Sequence, residues 1–435
     1  MRYFKSDPGV TRKRPRAIHV VLVFSFMAAL VFANALVKPR TTDVVKTAVS
    51  ISADKTINFD LPNGYLVSGN VKNSAGNPVR GAVIQATCSD GNPSQRTITN
   101  SSGGFQLAVR SGTHRVDIWP PPTNSIDPTT YPKLVPASAG TYDVTRDTSI
   151  GSVTLPDGNI VSGELKAASG NLWYVAGFIF AIPAGGGYTG PPIMATQGAD
   201  PNTTKYAAAL PAGKFTILAT GIQGFSRESD HVDAAWDLLP CTSFYARRVN
   251  ITKSMALNLK LPSGGMLSGS VRDTTGQPLH GYLFIQKQNG NPMKDGQMTF
   301  MPVANGSFIG HLPAGRFDAT FVPEMPASYK GRATKTHVAL AMTSVDKTLN
   351  IVAENGVVLT GRIAAVGGAA FKASSAIFTL SGATPGSADA LPLGAKSDDA
   401  GKYRLCVPPG TYDIQALPSG FGFLSYLERL AKRAG

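Results

Sequence analysis

The chain has only three cysteines in 435 residues, Cys88, Cys241 and Cys406, and none share the short spacing of a zinc or redox pair. They read as small buried hydrophobes, with one disulfide and an odd thiol as the alternative for an exported chain. The six histidines (His19, His114, His231, His280, His311, His337) are scattered, with no H-x-x-E or H-E-x-x-H arrangement. G-x-S-x-G, the glycine-rich dinucleotide turn and the P-loop are also missing. The expectation is therefore a protein that is not an enzyme and has no catalytic residue, cofactor or metal. Charged residues make up only 16% of the chain. The net charge is +14, but no Lys/Arg run with interleaved aromatics offers a nucleic-acid surface. No long amphipathic helical pattern crosses the middle of the chain.

Turn residues are abundant instead, with 46 glycines and 31 prolines. Short strands joined by tight turns follow from that composition. One pattern recurs four times. Leu61-Pro62-Asn63-Gly64 leads to Val67-Ser68-Gly69-Asn70-Val71, and Leu155-Pro156-Asp157-Gly158 leads to Val161-Ser162-Gly163. Leu261-Pro262-Ser263-Gly264 leads to Leu267-Ser268-Gly269, and Glu354-Asn355-Gly356 leads to Leu359-Thr360-Gly361. The four marker glycines are 94, 106 and 92 residues apart, the size of a small domain rather than a solenoid repeat. Each copy ends on a late glycine (Gly112, Gly213, Gly315, Gly410) 43 to 50 residues after its marker. Phe215, Phe317 and Tyr412 follow the last three of these and are expected to plug the space between two sheets.

The first sixteen residues are basic, and Ala17 to Val37 follow without a charge. That run is long enough to span a bilayer, with the basic side cytoplasmic and the rest exported. Ala33-Asn34-Ala35 also reads as a cleavage site, so signal peptide and retained signal anchor both stand. Alternating stretches such as Thr56-Ile57-Asn58-Phe59-Asp60-Leu61, Ala256-Leu257-Asn258-Leu259 and Thr348-Leu349-Asn350-Ile351 read as lead-in strands, each opening the unit after it. On that reading the chain divides into a basic segment plus apolar helix (1–37) and sandwiches at 46–145, 146–252 (divergent), 253–347 and 348–420. A short amphipathic tail follows at 421–435 and is expected to cover the last sandwich's open edge.

The V-S-G-x-V strand, the G-x-P turn, the G-x-F strand and the P-x-G-T/R-Y/F-D corner resemble the carboxypeptidase regulatory-like domain family. The resemblance covers about residues 55 to 420 and is weakest in copy two, which lacks the G-x-P and G-x-F turns. It implies transthyretin-like or Ig-like β-sandwiches of about seven strands, an all-β chain of four tandem domains after an N-terminal hydrophobic helix, and no accompanying peptidase. The matching function is a non-catalytic exported scaffold at the envelope, binding an unidentified envelope protein. The alternative is a carbohydrate-binding array that stacks sugars on exposed rings, with Trp119, Trp173, Tyr188 and Trp236 as candidates. Membrane contact comes through residues 17–37 if they are uncleaved. The residues raise two further readings. One is a Lys–Asn crosslink, for which Lys72 and Lys166 sit suitably but Arg272 and Arg362 do not. The other is a cation site at Glu228, Asp230 and Asp233 or at Asp398-Asp399, whose spacing does not fit a dedicated loop.

Overall fold

The computed structural model describes residues 41–89, 93–121, 127–130, 132–167, 174–184, 193–197, 204–223, 241–261, 264–288, 298–324, 329–370, 374–383, 389 and 391–418. The apolar segment 17–37 and the tail 421–435 lie outside them, and no described helix is long and apolar enough to cross a membrane. Every named element is a strand. The chain opens with β1 (Val44–Ile51), β2 (Lys55–Thr56) and β3 (Phe59–Leu61). Then come β4 (Tyr65–Asn73), β5 (Val83–Cys88), β6 (Pro93–Ile98), β7 (Gly104–Val109), β8 (Gly112–Trp119), β9 (Ala137–Val144) and β10 (Thr148–Leu155). The next group is β11 (Asn159–Ala167), β12 (Tyr174–Pro183), β13 (Ile193–Gln197), β14 (Thr204–Leu210), β15 (Gly213–Gln223), β16 (Cys241–Ile251), β17 (Met255–Ala256) and β18 (Leu259–Leu261). A third comprises β19 (Gly265–Arg272), β20 (Gly281–Lys287), β21 (Met298–Val303), β22 (Ser307–Leu312), β23 (Gly315–Pro323), β24 (Thr336–Met342) and β25 (Lys347–Val352). The last is β26 (Val357–Ala365), β27 (Ser375–Leu380), β28 (Leu393–Lys396), β29 (Lys402–Val407) and β30 (Gly410–Leu417).

Four apolar cores divide these into four two-sheet units, and β16 of unit two pairs with β22 of unit three, so one sheet runs through both. Unit one sets β10-β4-β7 against β6-β5-β8-β9. Unit three sets β25-β19-β22 against β21-β20-β23-β24 in the same order. In unit two β13 bridges β12 and β14, so its sheets run on into one. Unit four is built from two separate pieces of chain: β2 and β3 lie beside β26-β29, and β1 lies beside β30-β27-β28. Phe215, Phe317 and Tyr412 are buried between the sheets of their units.

These pairings move the expected boundaries by one strand. Each lead-in runs parallel to the first strand of the unit before it: β10 on β4, β17 and β18 on β11, β25 on β19. The first lead-in, β2 and β3, runs parallel to β26 instead. Thus 46–61 belong with unit four, and 148–155 with unit one. The tail, expected to cover the last sandwich's open edge, lies outside the described residues; the edge beside β30 is held by β1. The physical reason for the shifted boundaries is the turn after each lead-in, three residues long after β3, β10 and β18 and four after β25. It reverses no strand but carries the chain from one sandwich into the next.

The marker glycine explains the parallel pairing. Across the sheet Gly69, Gly163, Gly269 and Gly361 face Phe105, Tyr206, Phe308 and Tyr403. A Cβ on Gly361 would fall onto the carbonyl of Ile57 in the lead-in and onto the Tyr403 ring. Glycine lets the lead-in backbone approach, and the aromatic ring covers the gap. The Tyr403 hydroxyl donates to the Ile57 carbonyl at 2.7 Å, and Tyr206 does the same to Leu257.

Side chains of the lead-ins also cap the neighbouring strand. Asp54 and Asn58 accept the amides of Val358 and Arg362, Asp346 and Asn350 those of Met266 and Ser270, and Asn258 that of Glu164. The same bonds span 80 to 94 residues in units two and three but 304 in unit four. Ile51, Ile57, Phe59 and Leu61 enter the core of unit four with Leu359, Phe378, Tyr403 and Ile414. Truncating Phe59 to Ala removes a fully buried ring and is expected to cost about 3–5 kcal/mol. Amide hydrogen exchange should then rise in β26, β29 and β30 and stay unchanged in β4 and β7; a rise confined to unit one would contradict the pairing.

Candidate functional site

Of the four proposed sugar-stacking residues, only Trp119 lies among the described residues. Trp119 ends β8 and is only 3% exposed, so the expectation of an exposed ring there is corrected. Its ring lies under the Arg96 guanidinium, 5.9 Å away, and Arg96 is fixed by two bonds to the buried Gln85 carbonyl oxygen at 2.8 and 2.7 Å. The ring is therefore covered, which leaves no room for a sugar on it. Trp173, Tyr188, Trp236, Glu228, Asp230 and Asp233 lie outside the residues whose side chains are described.

Other sequence candidates prove to be turn formers. Asp398 accepts the amides of Ala400 and Lys402, and Asn100 does the same work in unit one for Ser102 and Gly104. Arg272 donates to the Gly276 carbonyl and Arg362 to those of Ala400 and Gly368, so each basic side chain closes a turn. Lys166 pairs with Glu164. Cys88 and Cys406 are free thiols. Among the described residues no three His, Cys, Asp or Glu side chains group as metal ligands.

Polar chemistry concentrates where units three and four meet, on residues 329–337 between β23 and β24. Arg404 of β29 donates to the carbonyls of Tyr329, Lys330 and Gly331 at 3.1, 3.0 and 2.8 Å. Thr334 donates to the Cys406 carbonyl at 3.0 Å. Arg332 grips both carboxylate oxygens of Asp54 at 2.9 and 2.6 Å, tying unit three to the turn after β1. The bidentate Arg332 contact, followed by the Val358 amide, holds the Asp54 carboxyl below the usual range. Tyr329 donates to Asp273 at 3.0 Å, and burial pushes its hydroxyl up to about 12. Burial alone would raise the Asp273 carboxyl, but donation from Thr275, Gln277 and Tyr329 outweighs it and holds the group low.

Beside this network Lys335 is 6% exposed, and its ammonium donates to the carbonyls of Asp389 and Leu391 at 3.1 and 3.4 Å. Burial pulls it down to about 8, with the Asp389 charge acting against that. His337 bridges Thr320 at 2.9 Å and Asp389 at 3.4 Å, and burial followed by the Lys335 charge lowers it. The matching position at the next junction is Asp43, which accepts from Gln415 at 2.8 Å and faces Arg110 at 4.0 Å. The two positions correspond because Thr334 and Thr42, one residue earlier, each donate an amide to the turn after a lead-in. These junctions join sandwiches; they do not place a nucleophile beside a base in an open cleft. Sequence reasoning missed them, although the Asn repeated in three lead-ins was a visible signal.

Residues 67–146 match the carboxypeptidase regulatory-like domain. The match stops two residues before β10, the strand that leads into unit two. All named elements are strands of the four units, and no peptidase domain is present among the described residues. No curated protein matches the chain. Solved structures similar to it include the Bacillus anthracis TIE protein, at 13% identity and TM-score 0.17, covering 67% of this chain and 50% of that one. The chain therefore spans about half the length of that protein. BcpA, the major pilin subunit of Bacillus cereus, aligns at 11% identity and TM-score 0.17 over 67% of this chain and 99% of its own. GBS52, the minor pilin of Streptococcus agalactiae, aligns at 13% and 0.19 over 45% and 96%.

Lys335 makes stability depend on pH. Its folded pKa lies below that of the unfolded chain, so between pH 8 and about 10 the folded state holds fewer protons and stability rises with pH. The buried ammonium costs about 3 kcal/mol below that window. Lys335→Met is expected to flatten this rise in denaturant titrations at pH 7.5 to 10. An unchanged slope would show that the ammonium is solvated.

Proposed function

We propose that the chain is a non-catalytic scaffold exported to the cell envelope or surface, where it presents its sandwiches to a macromolecular partner. The observation that carries this reading is the two-piece fourth unit, in which residues near the start of the described chain complete its last sandwich. That closure leaves the array without a loose terminal sandwich. The polar side chains with well-developed contacts are spent on joints between units rather than on a cleft. The basic first sixteen residues and the uncharged run 17–37 support export, with the sandwiches on the far side of the membrane. The partner is an envelope protein that contacts exposed edges and loops.

A photoreactive residue at exposed Val345, Val352 or Val366 tests this in cells. Discrete protein adducts in the envelope fraction are the expected outcome for at least one of the three positions. No adduct at any position, combined with selective binding on a glycan array, would replace the scaffold reading with the carbohydrate one.

A further inference from the structure

Unit four has a second possible source for its missing strands. From the pairing we infer that this chain assembles with itself by exchanging residues 41–61, so that β1–β3 of one copy complete the fourth sandwich of another. The inference stands on how residues 41–61 pair and pack and does not depend on the envelope reading.

Three observations carry it. The exchanged piece occupies sheet edges only: β1 pairs with β30 and ends its sheet, while β2 and β3 pair with β26 and end the other. Lifting it out breaks no other strand pair. The piece leads into unit one through Pro62-Asn63-Gly64, a turn short enough to act as a hinge between folded bodies, and otherwise faces unit one where Asp43 lies 4.0 Å from Arg110. Its hold on unit four is also uneven. Along β1 only Ile51 is buried, the register slips between Lys46 and Val49, and Ala48 sits at φ 53, a conformation uncommon for a residue with a Cβ. The remaining grip includes Ile57, Phe59 and Leu61, the Tyr403 hydroxyl on the Ile57 carbonyl, the Asp54 and Asn58 caps, Asp43 against Gln415 and, from unit three, Arg332 on Asp54.

Every one of these contacts is available unchanged from a second copy. Within one chain the two halves are covalently connected, which gives the closed monomer an effective concentration on the order of millimolar. Exchange therefore competes where chains fold side by side at high local density, and it needs no new surface. The other units cannot do this, because their lead-ins follow directly in sequence. Strand β9 of unit one makes the equivalent contact, with Asp143 opposite Thr113 where unit four has Ser50 opposite Thr411.

That equivalence supplies the experiment and its control. Full-length chains carrying a photoreactive residue at Ser50 and one affinity tag are co-expressed with unsubstituted chains carrying a second tag. Both Ser50 and Asp143 are exposed, so neither substitution disturbs a core. After irradiation, a species of twice the chain mass that bears both tags, with the crosslink mapping to Gly410–Leu417, is the expected result. The same probe at Asp143 is expected to crosslink only within its own chain. If Ser50 also crosslinks only to its own β30, with no doubly tagged product, the fourth unit closes strictly within one molecule and the inference is wrong. A doubly tagged product of equal yield from both positions reports simple proximity of copies and overturns it as well.

Discussion

The close parallel approach of each lead-in backbone to a marker glycine is the contact on which the architecture depends. Any larger residue at Gly361 collides with the Ile57 carbonyl and the Tyr403 ring, and the lead-in can no longer lie flat. Parallel neighbours cannot be joined by a tight hairpin, so such a strand must arrive from elsewhere in the chain. In units one to three it arrives after the rest of its sandwich and then turns at once into the next. The strand that finishes one core thus starts the following unit, and adjacent sandwiches are held at a fixed short distance. Apolar packing at the joints adds to this: Phe284 and Val322 of unit three, on the sheet face turned from their own core, cluster with the core of unit four.

The joints share backbone geometry but differ in side-chain chemistry. At equivalent positions the 3/4 joint buries the cation Lys335 against carbonyls, and the joint between units four and one buries the anion Asp43 against Gln415 and Arg110. A buried charge left without its partner costs several kcal/mol, so each side chain disfavours the wrong neighbour. Repeats that look interchangeable along the chain are thereby made distinct in space. The same logic places Arg332 opposite Asp54: a unit-three side chain recognises the N-terminal strands as they settle on unit four.

Much of the fold could be read from the residues. Four copies, all-β sandwiches and the interior positions of Phe215, Phe317 and Tyr412 follow from spacing and alternation, because period-two patterns report which face is buried. The ownership of the lead-ins could not be read that way. Alternation in Thr56–Leu61 says that a strand exists and which side is apolar, but a strand three residues from the next unit and 300 from its true partner carries no mark of that distance. Counting offered a hint: four lead-ins stand before four units and none after the last, so a series that pairs backwards leaves the first one over. The site suffered from a different ambiguity. Trp119 has the composition of a sugar platform, and only Arg96 and Gln85 lying across it reveal a covered ring.

Closure also bears on how such an array can grow. Stacked repeats ordinarily need special end units to cover exposed strand edges. Here β26 and β30 of unit four are covered by the first strands of the described chain. Adding a fifth copy would move the open sandwich away from β1–β3 by a whole domain, beyond the reach of Pro62-Asn63-Gly64. Insertions within loops have no such consequence, since they leave the spacing between joints unchanged. That difference accounts for a chain whose loops vary widely in length, most of all in unit two, while every marker glycine and every joint turn keeps its place.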